Sequence, residues 1–286
     1  MGMASAGAVF RRGALMGAGG LALLACLVVC LSGCPFDAVS PARQDDLALA
    51  RTAVRDRDIG DAEMYFERYL RKNPQGEQRW EVWQSLLEIA LDIRHDKGSA
   101  REYLEIMLEE FGGDNERRRE IQLTLASLAG EMRSYERAVS LWEAVSADPA
   151  TPQETLAEVY RELSRAYLRR LEFTLSKEVL DRCLQLNVAG ETKGRCLYAL
   201  AEAHMLTDEL GLAEEALRSM LELGTTDAAQ RVEATFMLAD VLEQRDRFGE
   251  AEELFDSIRD TYPNTRVIEV RLSALRNKAG TRKSVK

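Results

Sequence analysis

An all-α superhelical solenoid of about six helix pairs, with a period of about 38 residues and a capping helix at the C-terminal end, is the fold class that this sequence predicts. Three observations lead there. After residue 42 no stretch alternates apolar and polar side chains as a half-buried strand would. Ala, Leu, Glu and Arg recur instead at helical spacing, broken by turn formers such as Asn73-Pro74-Gln75-Gly76, Gly112-Gly113-Asp114, Asp148-Pro149 and Tyr262-Pro263-Asn264. A small residue returns at Ala62, Ala100, Ala138, Ser176, Ala213 and Ala251, spaced 38, 38, 38, 37 and 38 apart. Thirteen positions before each of these stands a Leu: Leu49, Leu87, Leu125, Leu163, Leu200 and Leu238.

The chain begins differently. No Asp or Glu precedes Asp37, and Arg11-Arg12 introduces an almost uninterrupted apolar run from Gly13 to Leu31 that ends in Leu31-Ser32-Gly33-Cys34. This segment, 1–33, resembles the signal peptide of bacterial lipoproteins, and the small residues before Cys34 resemble their lipobox. The resemblance implies acylation of the Cys34 thiol and cleavage before it. About 20 apolar residues also suffice to cross a bilayer, so an uncleaved anchor helix and an ordinary cleaved signal stay open beside it. The Arg pair fits the twin-arginine export pattern only loosely, which favours general secretion. Residues 34–42 then form a lipidated Cys and short tether. The eight residues after Cys34 reach at most about 26 Å, which keeps the folded part near the membrane.

The repeat array is expected over 43–275. In each unit the Leu is followed by a small residue, Ala50, Ala126, Ser164, Ala201 or Ala239, in all copies except the second. Four positions after the second-helix small residue lies a large apolar one: Phe66, Leu104, Trp142, Leu180, Leu217 or Phe255. Small residues at fixed places on both helices of a hairpin let the axes approach, and the bulky one fills the space beside them. In the second unit Glu88 holds the small position, where a charge does not fit between packed helices, so Ala90 is expected to take that role in a shifted register. Asn264 and Thr265 cap a last amphipathic stretch, Val267 to Leu275, expected to cover the sixth unit, and 276–286 remains as a basic tail.

Leu49-Ala50, Ala62, Phe66 and Pro74, repeated as Leu238-Ala239, Ala251, Phe255 and Pro263, resemble the tetratricopeptide repeat (TPR). The usual period is 34 residues, so each unit here carries about four more. The resemblance implies a concave groove lined by the first helix of each pair. Carried over, its groove positions fall on Arg161, Arg165 and Arg169, on Arg195 and Tyr198, and on Phe236 and Asp240. The three Arg lie at i, i+4 and i+8 on one helix face. Guanidinium groups beside aromatic rings suit a carboxylate-bearing peptide. The plainer alternative is that these Arg pair with Glu158, Glu162 or Glu172 and are simply solvated.

The remaining chemistry is sparse. The only two His, His95 and His204, lie far apart; no Cys or His stands at metal-ligand spacing, and the Ser residues have no nearby His, so no metal, cofactor or catalytic residues are expected. His204 falls at a core position and His95 near a turn. Cys183 and Cys196 flank a helical turn symmetrically and either form a disulfide after export or serve as two small buried hydrophobes. A net charge of −10 argues against nucleic acid. The basic end, with Arg271, Arg276, Lys278, Arg282, Lys283 and Lys286, either contacts anionic lipid or is solvated.

The expected function is therefore that of a membrane-anchored, periplasm-facing scaffold for envelope proteins or peptides, with no small-molecule substrate. The chain is similar to the TPR lipoproteins of the outer-membrane β-barrel assembly machinery and, less closely, to those of type IV pilus assembly. A TPR factor that coordinates peptidoglycan synthesis with envelope constriction, binding wall-associated proteins, is the alternative. Pro35 stands where the lipoprotein resemblance would put an inner-membrane retention Asp, which leans toward the outer membrane.

Overall fold

The computed structural model describes residues 45–224 and 227–284. The expected signal peptide 1–33, the expected lipidated Cys and tether 34–42, and residues 43 and 44 of the expected array lie outside the described residues. From Asp46 onward the chain forms one compact unit.

Six antiparallel helix pairs follow one another, and no strand occurs among the described residues. They are α1 (Asp46–Arg55) with α2 (Ile59–Lys72), α3 (Arg79–Glu88) with α4 (Lys97–Phe111), and α5 (Asn115–Glu131) with α6 (Tyr135–Ala147). Then come α7 (Gln153–Arg169) with α8 (Phe173–Gln185), α9 (Gly190–Leu206) with α10 (Leu210–Glu222), and α11 (Ala228–Gln244) with α12 (Phe248–Ser257). A single helix, α13 (Thr265–Ser284), ends the array. The extra length over a 34-residue unit goes into the helices: α5, α7, α9 and α11 each run 17 residues.

The periodic small residues are buried as expected. Ala50, Ala62, Ala100, Ala126, Ala201, Ala213, Ala239 and Ala251 have no exposed surface. The bulky residues beside them, Phe66, Leu104, Leu180, Leu217 and Phe255, are at most 2% exposed. In the fourth pair the small residues are Ser164 and Ser176, whose hydroxyls satisfy each other at 2.8 Å in the core.

Each pair turns through three residues, and the middle one is left-handed without being glycine. These are Arg57, His95, Arg133, Leu171, Asp208 and Asp246, with φ between 52° and 62°. Their spacing is the same 38, 38, 38, 37 and 38 as that of the small residues. In five pairs the residue after the turn centre donates its N–H to a carbonyl five back: Asp58 to Ala53, Ser134 to Ala129, Glu172 to Tyr167, Glu209 to His204 and Arg247 to Leu242. That bond satisfies a carbonyl the helix end leaves open. His95, expected merely near a turn, is such a centre, and its Nδ1 lies 3.0 Å from Leu91 O.

The second pair departs from this scheme. Helical bonds widen over Ile89–Ile93, where the Arg94 N–H donates to Ile89 O and the Asp96 N–H reaches Ala90 O, six back. One extra residue is thereby accommodated. The register before it moves by one, so Leu86 is fully buried, Leu87 half-buried and Glu88 exposed. Ala90 is buried inside the widened turn and does not take the small-residue place expected of it. Leu87 falls in the place that a small residue fills elsewhere.

The capping helix is longer than the predicted stretch. It runs on through Asn277 and Lys278 to Ser284, and Ile268, Leu272 and Leu275 bury against the last pair. Val267 and Val270, expected on its apolar face, are exposed. As far as Lys278 the basic end is ion-paired within the protein. Arg271 pairs with Asp240 and Glu243, Arg276 with Glu252 at 2.7 Å, and Lys278 with Glu243 at 2.8 Å. The side chains of Arg282, Lys283 and Lys286 lie outside the described residues.

Candidate protein-binding groove

Between the first helices α5, α7 and α9 opens a cleft of about 1000 Å³. Its walls include Trp142 and Met205, the leucines Leu171 and Leu206, and the charged side chains of Arg165, Arg169 and Glu202. The stripe on α7 arises because helical residues four apart share a face.

The charges are partly spent inside the protein. Arg161 bonds Glu158 at 2.5 Å, Arg165 bonds Glu162, and Arg195 bonds Glu191 at 3.0 Å. Arg169 has no ion-pair partner among the described residues and is exposed. Burial pulls the Arg161 guanidinium below its ordinary range, and the neighbouring cations Arg165 and Arg195 add to that. The Arg195 Nε is buried with no hydrogen-bond partner among the described residues. Glu202 keeps a solvent-exposed surface, yet the protein around it disfavours its charge and raises its pKa, an effect that Arg165 and Arg161 oppose.

The fold thus brings together Arg161, Arg165, Arg195 and Glu202. Tyr198 joins them half-buried, with its hydroxyl pushed up to about 12 by desolvation and by the carboxylates of Glu202 and Glu233. Phe236 and Asp240, the other two expected groove residues, are half-buried and engaged by neighbouring side chains. Tyr262 stacks on Phe236 at 4.7 Å, Phe255 meets it edge-on at 5.3 Å, and Asp240 is held by Arg271 and Gln244. They fasten the end of the array. Glu202 was missed from sequence, because its position beside the α7 stripe depends on how successive pairs rotate.

His204 is a polar node rather than an apolar core residue. Its side chain is 12% exposed and its Nδ1 lies 2.6 Å from Glu209 Oε2, which also accepts from Lys177 Nζ at 2.8 Å and from Thr207 Oγ1 at 3.0 Å. Cys183 and Cys196 are fully buried with their sulfurs at bonding distance and Cα atoms 6.2 Å apart. Among the described residues no cluster of three or more His, Cys, Asp or Glu could hold a metal, and no helix is long and apolar enough to cross a membrane.

Residues 198–264 match the tetratricopeptide repeat family. Solved structures similar to the chain include PilW, a widely conserved type IV pilus biogenesis factor, at 17% identity and TM-score 0.53, covering 80% of this chain and 96% of that one. PilF of Pseudomonas aeruginosa is similar at 13% identity and TM-score 0.52, covering 82% and 96%. BtubC (BKLC) from P. vanneervenii is similar at 18% identity and TM-score 0.55, covering 66% and 85%. Comparison with curated protein sequences finds no match. These likenesses show the fold, a TPR-type solenoid.

Proposed function

We propose that this TPR scaffold is anchored to a membrane through an acylated Cys34, faces the periplasm, and holds envelope proteins or peptides in assembly of an outer-membrane, pilus or secretion complex. The observation that carries the reading is the cleft between α5, α7 and α9, in which the exposed Arg165 stands beside an apolar wall that includes Trp142 and Met205. A partner segment with a carboxylate next to large apolar side chains suits that surface: the guanidinium forks the acid and the wall takes the apolar part. The similarity in fold to PilW and PilF supports the pilus arm. A bond between Cys183 and Cys196 belongs to the same reading, since the periplasm permits disulfides.

The test is crosslinking of the lipidated protein in its own cells, with Arg165→Glu in parallel and the attached proteins identified by mass. Integral barrel or pilus components captured by the unaltered chain and lost on charge reversal are the expected result. Capture that survives the reversal places the contact elsewhere on the solenoid, and capture of no protein leaves wall polymer as the ligand.

A further inference from the structure

Exposed leucines gather at one edge of the fourth and fifth pairs. Leu171 is 72% exposed, Leu206 62%, Leu212 48% and Leu175 42%. They belong to two adjacent turns, which Lys177 ties together by bonds from α8 to Thr207 and Glu209. Leu171 and Leu206 line one cleft mouth.

The repeat makes these residues conspicuous. Leu175 and Leu212 occupy equivalent places, four after the turn centre, where the other four pairs carry Asp61, Ser99, Arg137 and Glu250. Leu171 is a turn centre, where the other five have Arg, His or Asp. A left-handed backbone is costly for Leu and is tolerated better by Asn or Asp. An exposed apolar side chain kept in a strained backbone, where polar equivalents serve five times over, gains nothing for the fold.

We propose that this edge pairs two copies of the chain about a two-fold axis. In such an interface a patch meets itself, so it must be self-complementary. This one is: beside the leucines, Arg169 on the fourth pair and Asp208 on the fifth are both exposed, and neither has an ion-pair partner among the described residues. Antiparallel pairing sets the fourth pair of one copy on the fifth of the other, which buries leucine against leucine and joins each Arg169 to the other copy's Asp208.

The full chain carrying either of two tags is expressed together in the same cells, crosslinked with formaldehyde, captured by one tag and quantified by the other. Mutual capture is expected of the unaltered chain. Leu206→Glu and Leu171→Asn should each abolish it. Leu171→Asn places a residue that accepts the left-handed turn, so a melting midpoint that does not fall shows that the loss is not unfolding. Arg169→Asp or Asp208→Arg alone should reduce capture, and the two together should restore it. Loss of envelope-protein capture in Arg165→Glu with mutual capture retained separates failure of the groove reading from failure of self-pairing, and loss of mutual capture in that variant as well overturns pairing through the leucine edge alone. Absence of mutual capture in the unaltered chain overturns the proposal. So does capture that survives both leucine changes, which would put the contact between copies elsewhere.

Discussion

Ser164 and Ser176 stand where the first, third, fifth and sixth pairs set Ala against Ala, and their two hydroxyls have only each other in the core. Ser164→Ala alone strands the Ser176 hydroxyl and is expected to lower stability by about 1–3 kcal/mol in denaturant unfolding. Ser164→Ala with Ser176→Ala removes both polar groups and rebuilds the Ala pairing, so the double variant should unfold close to the unaltered protein. Glu209 makes a pH-dependent contribution. Hydrogen bonds from Lys177, His204 and Thr207 hold its pKa at about 2, well below its ordinary value of 4.5. A depressed carboxyl stabilises the folded state above the unfolded pKa and loses that contribution as pH falls through the folded one. The acid limb of a stability curve between about pH 4.5 and 2 should therefore flatten in Glu209→Gln, whereas an unchanged limb would assign acid sensitivity to other carboxylates.

Among the elements, the second pair shows what a periodic pattern can hide. Ala62 and Ala100 keep the interval of 38, so the widened turn over Ile89–Ile93 leaves no trace in the spacing, and only the misplaced Glu88 signals it. Deleting Glu88 removes the extra residue without disturbing the buried faces, because Leu86 and Leu87 already sit one position early. That deletion is expected to keep the helical circular dichroism and a cooperative melt. Deletion of Ala126 in α5, where no extra residue exists, should abolish the cooperative melt. The helix pairs themselves were legible because small residues must face each other for two axes to approach. The positive-φ turn centres were not, since none is glycine. The α7 stripe was legible from its spacing of four, but the approach of Glu202 from α9, and the sealing of Phe236 by Tyr262, depend on contacts between elements that no local pattern encodes.

Across the whole molecule the fully buried apolar side chains fall into four groups, which the half-buried Tyr160 and Leu184 join. One large cluster ends at Val179 in α8 and a second begins at Leu197 in α9, with Cys183, Cys196 and Ala157 in one small group between them and Leu180, Leu200 and Ala203 in another. A solenoid is held by neighbour contacts alone, so the seam from α8 to α9, where the buried groups are smallest, is where cooperativity can be divided. The proposed Cys183–Cys196 bond would span that seam over 13 residues, and closing a loop of that size contributes about 3 kcal/mol. Unfolding without reductant should be a single transition, and added reductant should split it, with the block from α9 to α13 melting first. A single transition in both conditions would argue that the seam transmits cooperativity without the sulfurs.

The six left-handed turn centres carry a consequence for how such a chain changes length. Every turn has a left-handed centre, occupied by Arg, His, Leu or Asp, and five of the six share the same closing bond. A cut at one centre and a join at the next would therefore add or remove a whole unit while leaving every remaining junction one the fold already uses. The centres are the natural splice points of the array, and its reach can grow or shrink in steps of a single pair without redesign of any helix face.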